Sequence, residues 1–265
     1  MRTLSFRVAV TGLPQVGKTV FSVLLLDVLM NERRPGIEFT AESRSAISVY
    51  RAIRNIPAGL WPKSTVRGVV STYSGKIEAK RTVVDLEIGD SAGEHWMELE
   101  PNSDNDPGYL EYVLSAHAVA HVIPLGDLLK PDARERVAAD VEDLKLVARL
   151  RRQAAGSSAR MPLLIILSKA DLVIALPELQ RPEVGLFQID EHPAVPALTT
   201  VGRGYPQAVE ILEKVVEQLR TEYASVSFTV TSAPAIVENR LSVGDRGAGL
   251  VDWVMRNAET AAKRG

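Results

Sequence analysis

Phe6-Arg7-Val8-Ala9-Val10-Thr11-Gly12-Leu13-Pro14-Gln15-Val16-Gly17-Lys18-Thr19-Val20-Phe21 is the stretch that decides the fold. It opens with a short apolar run that reads as a buried strand, passes through G-x-x-x-x-G-K-[ST], and enters the apolar helix Val20 to Met30. The order strand, loop, helix is what gives this spacing its meaning. Gly12 and Gly17 let the backbone turn successive N–H groups inward, and the helix N-terminus adds partial positive charge. Pro14, Gln15, Val16, Gly17, Lys18, Thr19 and Val20 are therefore expected to surround a chain of phosphates. Lys18 would reach the outer phosphates, and the Thr19 hydroxyl would bind Mg²⁺.

Composition bounds the rest. The chain has 265 residues, 46% hydrophobic and 24% charged, which is ordinary globular usage. A net charge of -2 gives no bulk attraction to nucleic acid or to acidic membranes, so no nucleic-acid partner is expected. The absence of cysteine excludes disulfides, thiolate metal sites and lipidation at sulfur. No apolar stretch approaches the roughly 18 residues of a membrane span, and Met1-Arg2-Thr3-Leu4 leads straight into a strand. A cytoplasmic protein with no membrane anchor of its own is expected.

Strand-like and helix-like runs alternate along the chain, which suits one α/β domain over residues 1–265. Thr65 to Tyr73 and Arg81 to Ile88 read as a hairpin about the turn Ser74-Gly75-Lys76. Ala118 to Leu125, Met161 to Leu167 and Ser225 to Val230 read as further strands. Asp132 to Gln153, Gln207 to Glu222 and Gly249 to Ala262 read as helices. The total is six strands. Two insertions are expected, a helical one at about 37–62 and an irregular one at 176–206, the latter with five prolines. Within the first, Ile47, Tyr50 and Ile53 form one helical stripe and Arg44, Arg51 and Arg54 another.

Three more motifs sit at strand ends, where an open α/β sheet binds its ligands. In Asp90-Ser91-Ala92-Gly93-Glu94, Asp90 is placed to help hold Mg²⁺ and Gly93 to offer its N–H to a terminal phosphate. In Ser168-Lys169-Ala170-Asp171, the Asp171 carboxylate can accept paired hydrogen bonds from guanine N1–H and its 2-amino group, which adenine cannot supply. Ser232-Ala233 would present the Ala233 N–H to the guanine carbonyl. His117, His121 and His192 have no metal-ligand spacing and read as structural.

The ordered series GLPQVGKT, DSAGE, SKAD and TSA resembles the motif set of the Ras-like, translation-factor-related P-loop GTPases. The Gly-Lys-Thr-Val-Phe start of helix 1, the added helix and the approach Gly59-Leu60-Trp61-Pro62-Lys63-Ser64-Thr65 resemble bacterial double-GTPase domains. The resemblance implies a three-layer α/β fold, a six-stranded mostly parallel sheet with one antiparallel strand, and GTP or GDP with Mg²⁺ at its carboxyl edge. It also implies a switch threonine on Mg²⁺. Of Thr40, Thr65 and Thr72, a hairpin turning at Gly75 favours Thr65.

Two departures from the family pattern bear on chemistry. Ser168 stands where Asn or Thr is usual, so the hydrogen bond tying this loop to the phosphate loop is expected to be shorter or lost. Glu94 stands where many relatives carry the glutamine that orients the attacking water. His95 is an alternative water-positioning group, and an arginine of the inserted helix or Lys63 could serve as a finger in cis. Slow intrinsic hydrolysis is the expectation, with a GTP-bound, non-hydrolysing scaffold and an ATPase as rivals. Effector or regulatory proteins would dock through the switch regions, which include Trp96; a second copy or a partner GTPase is a further candidate.

Overall fold

In the computed structural model the chain is described over residues 1–31, 35–62, 65, 70–91, 107–155, 160–179, 186, 188–192, 198, 204–234 and 248–263. Seven strands form one sheet: β1 (Arg2–Thr11), β2 (Ile37–Ala41), β3 (Val70–Ala79), β4 (Thr82–Ser91), β5 (Ala118–Pro124), β6 (Pro162–Ser168) and β7 (Ser225–Val230), in the order β2-β3-β4-β1-β5-β6-β7. Strands β4, β1, β5, β6 and β7 run parallel, while β3 is antiparallel to both of its neighbours. The central strands β5 and β6 are buried on both faces and almost wholly apolar, with His121 the polar exception in β5, as suits strands covered by helices on each side.

The helices are α1 (Lys18–Met30), α2 (Ser43–Asn55), α3 (Pro107–Ser115), α4 (Ala133–Ala155), α5 (Leu176–Leu179), α6 (Pro206–Leu219) and α7 (Ala248–Ala261). Helix α1 is buried nearly all round from Phe21 to Leu29, because it lies between the sheet and α2. Along β1, the even residue Phe6 meets Trp253 of α7 edge-on, at 6.1 Å between ring centroids. Its odd neighbour Arg7 lies over the Tyr112 ring of α3, 5.3 Å from the centroid. Alternation along the strand therefore puts α3 and α7 on opposite faces of the sheet.

Three expectations need correction. The sheet has seven strands rather than six, because Ile37–Ala41 forms an edge strand on β3 inside the stretch expected to be a helical insertion. Ile37-Glu38-Phe39-Thr40-Ala41 does alternate apolar and polar as a strand should, but over only five residues directly before the helical pattern of Ser43–Asn55. The hairpin turns at Lys80-Arg81, between the pair Ala79 and Thr82, with Lys80 at φ 48°. Ser-Gly is a turn signal, but Gly75 lies mid-strand, opposite Leu86 on one side and Ala41 on the other. Its bare Cα face is covered by the Phe39 ring, and a Cβ there would collide with that ring. Finally, α2 buries Ser45, Val49 and Ile53 and leaves Ile47 and Tyr50 exposed among the arginines, so the expected apolar stripe is split between the core and the arginine face.

Gly75→Ala is expected to destabilise the protein by about 1–3 kcal/mol through overpacking against Phe39. Urea unfolding of G75A, and of G75A with Phe39→Leu, checks this; the second substitution should recover part of the loss.

Candidate functional site

The phosphate loop is shaped by residues whose backbones few side chains permit. Gly12 has φ 131°, and a Cβ there would stand 2.7 Å from the Val122 carbonyl oxygen of β5. Gly17, at φ 104°, caps α1. Between them Gln15 holds φ 61°, a left-handed conformation that costs about 1–3 kcal/mol and is found mostly at ligand sites. The Lys18 ammonium is buried in this turn, donating to the Gly12 carbonyl at 2.9 Å and the Leu13 carbonyl at 2.8 Å. A lysine charge and the N-terminus of a 13-residue helix thus point into the same concavity, which suits polyanionic phosphate.

Beneath the loop, Asp90 gathers two hydroxyls from separate parts of the chain. Its Oδ2 accepts from Thr19 Oγ1 at 2.6 Å and from Thr65 Oγ1 at 2.7 Å, and the two hydroxyl oxygens lie 3.3 Å apart. Burial raises the Asp90 pKa, opposed by the Thr19 and Thr65 hydrogen bonds and by the Lys18 charge. Its other oxygen, Oδ1, is buried without a hydrogen-bond partner among the described residues. An orphaned carboxylate oxygen beside two hydroxyls is a hard-oxygen donor set, and it fits Mg²⁺. Tyr73 stands nearby, its hydroxyl pushed up to about 12 by burial and by the Asp90 charge, so it adds no competing anion at neutral pH.

The third part of the site is joined to the first. Ser168 Oγ donates to the Val16 carbonyl at 2.7 Å, and Lys169 Nζ donates to the Gln15 carbonyl at 2.7 Å. Of the two outcomes expected at Ser168, a shorter bond or a lost one, the bond is kept: the serine side chain makes a buried link to the phosphate loop. Lys169 is left-handed, at φ 55°, so two strained residues, Gln15 and Lys169, hold each other across the site. Ser232 Oγ donates to Asp171 Oδ1 at 2.8 Å, which fixes one carboxylate oxygen and orients the other.

These parts enclose a cleft of about 670 Å³. Pro14, Gln15, Gly17, Lys18, Thr19 and Val20 line one side of it, Thr65 another, and Ser168, Lys169, Asp171 and Ala233 its far end. Asp90, Val16 and Ser232 act on it through the hydrogen bonds above. Thr40 and Thr72 are exposed strand residues; the hairpin turns at Lys80-Arg81 rather than Gly75, which sets Ser71 opposite Asp90, and Thr65 bonds Asp90 from ahead of β3. Gly93, Glu94, His95 and Trp96 lie outside the described residues, as does Lys63. None of Arg44, Arg51 and Arg54 lines the cleft.

Trp61, Pro62 and Leu172 also line the cleft and were not assigned to it from sequence. A Trp-Pro pair shortly before Thr65 and a leucine directly after Asp171 are the signals the sequence offers. Both are apolar surfaces against which a flat ring could rest.

Fold, loop and strand-end motifs define a P-loop GTPase. The chain belongs to the Double-GTPase 2 family, whose family model matches residues 7–240. Guanine nucleotide is therefore its ligand class. No curated protein matches the chain. Among solved structures it is similar to the Arl6 BBS3 small GTPase of Trypanosoma brucei with bound nucleotide analogue GppNp, at 15% identity and TM-score 0.45, over 98% of this chain and 99% of that one. No helix among the described residues is long and apolar enough to cross a membrane.

Ser168→Ala removes the bond to Val16 and leaves a buried carbonyl without that donor. A stability loss of about 1–3 kcal/mol is expected in chemical denaturation, with weaker nucleotide binding by calorimetry.

Proposed function

We propose that this chain is a switch that binds GTP with Mg²⁺, hydrolyses it slowly to GDP and inorganic phosphate, and changes its switch surface as it does so. The observation that carries this reading is the meeting of Thr19 and Thr65, 46 positions apart in sequence, on the one carboxylate of Asp90. A hydroxyl from the phosphate loop and one from the switch segment are both held where the outer phosphates would lie.

The roles follow from the donor set. Lys18 and the loop N–H groups would hold the β and γ phosphates, with the Gly93 N–H on the γ group. Thr19, Thr65 and Asp90 would hold Mg²⁺, which supplies positive charge against the charge spread over the phosphates. Asp171, steadied by Ser232, would accept the guanine N1–H and 2-amino hydrogens, and the Ala233 N–H would meet the carbonyl. Water attacks the γ phosphorus, the bond to the β-phosphate oxygen breaks, and phosphate leaves GDP. Glu94 in place of a glutamine makes water orientation poor, leaving His95 or a partner protein to supply it. A cytoplasmic setting and a regulatory or effector protein at the switch surface belong to the same proposal. Glu94 also favours a second reading, a GTP-bound module that does not turn over.

Single-turnover phosphate release is expected at or below about 10⁻⁴–10⁻³ s⁻¹, the unaided range of such enzymes. A rate well above this contradicts slow hydrolysis, and complete absence of release supports the scaffold. Asp171→Asn should shift preference from guanosine to xanthosine triphosphate; unchanged guanine preference removes Asp171 from the base site.

A further inference from the structure

Helix α2 already spends its apolar stripe, Val49 and Ile53, on the core, yet its opposite face is not an ordinary solvated one. Ile47 is 53% exposed and Tyr50 65% exposed. At helical spacing they interleave with Arg44, Arg51 and Arg54: Ile47 neighbours Arg44 and Arg51, and Tyr50 neighbours Arg54. None of the three arginines has an ion-pair partner among the described residues, and no Asp or Glu occurs from Ser43 to Thr65. In a chain of net charge -2, this is a local cationic face with apolar side chains set between the charges.

We propose that this face docks an acidic segment of another protein, one that carries apolar side chains among its carboxylates. Guanidinium groups pair bidentately with carboxylates, while Tyr50, Ile47 and the arginine stems supply apolar contact between the pairs. Tyrosine and arginine together are what the energetic centres of protein interfaces favour. A symmetric contact between two copies would set arginines against arginines, so charge argues for a different partner. A membrane-lying helix keeps its apolar side chains on a face apart from its charges; here the separate apolar face is buried in the core.

The surface is also close to the switch in sequence. Ten residues lead from Asn55 to Thr65, through a 3₁₀ turn at Ile56–Ala58 and Trp61, which is 52% exposed and lines the cleft. Nucleotide control of docking therefore rests on the switch reading above, whereas the chemistry of the surface does not.

The test is selection of displayed random 12-residue peptides on the full chain loaded with Mg²⁺ and a non-hydrolysable GTP analogue. The expected consensus is rich in Asp and Glu with interspersed Leu, Phe or Trp. Binding of the selected peptides should fall at least tenfold in the double variant Arg51→Glu with Arg54→Glu, fall less in Tyr50→Ala, and weaken steeply with salt. GTP binding by the same variants should match wild type, which also verifies folding. A consensus without acidic residues, peptide binding insensitive to charge reversal, or stronger charge-sensitive binding to phosphatidylserine vesicles than to any selected peptide overturns the proposal. Failure of the wild-type chain to bind guanine nucleotide would instead contradict the switch reading.

Discussion

One buried carboxylate, that of Asp90, organises this molecule. Asp90 sits at the end of the strand beside β1, and its Oδ2 holds both the phosphate-loop hydroxyl of Thr19 and the hydroxyl of Thr65. Removing a carboxylate from water is unfavourable, and burial accordingly raises its pKa. Two hydrogen bonds and the Lys18 charge oppose that cost, and one oxygen is left without a partner among the described residues. Such a group is poorly placed for stability alone; it is well placed to receive a cation.

The rest of the fold can be understood as holding this point in register. Parallel pairing of β1 with β4 places Val10 opposite Asp90, so the strand that feeds the phosphate loop ends level with the carboxylate. The wall of β5 presses on Gly12, and the loop after β6 reaches back through Ser168 and Lys169 to the carbonyls of Val16 and Gln15. Loop strain at Gln15 and Lys169 is thereby shared across a closed circuit of hydrogen bonds. A displacement of any one loop is felt by the others.

Much of this was legible in the sequence because each motif follows an apolar strand and each strand is long. The strands β1, β5, β6 and β7 and the helices α1, α4, α6 and α7 declare themselves by continuous or periodic apolar residues. What failed did so where local chemistry and tertiary packing disagree. Ser-Gly-Lys reads as a turn, but Gly75 is required mid-strand by the Phe39 ring, and the true turn is the unremarked Lys80-Arg81. Ile47, Tyr50 and Ile53 read as one stripe apart from the arginines, yet α2 turns Val49 and Ile53 inward and leaves Ile47 and Tyr50 outside. At Ser168 residue size alone leaves a shorter bond or a lost one open; backbone proximity at Val16 decides that the bond forms.

The most direct measurement is calorimetric comparison of a non-hydrolysable GTP analogue and GDP, both with Mg²⁺, on wild type and Thr65→Ala. If Thr65 responds to the outer phosphate through the Asp90 centre, the variant loses its preference for the GTP analogue while GDP affinity stays near wild type. Equal weakening of both nucleotides, or no change in either, would contradict the account.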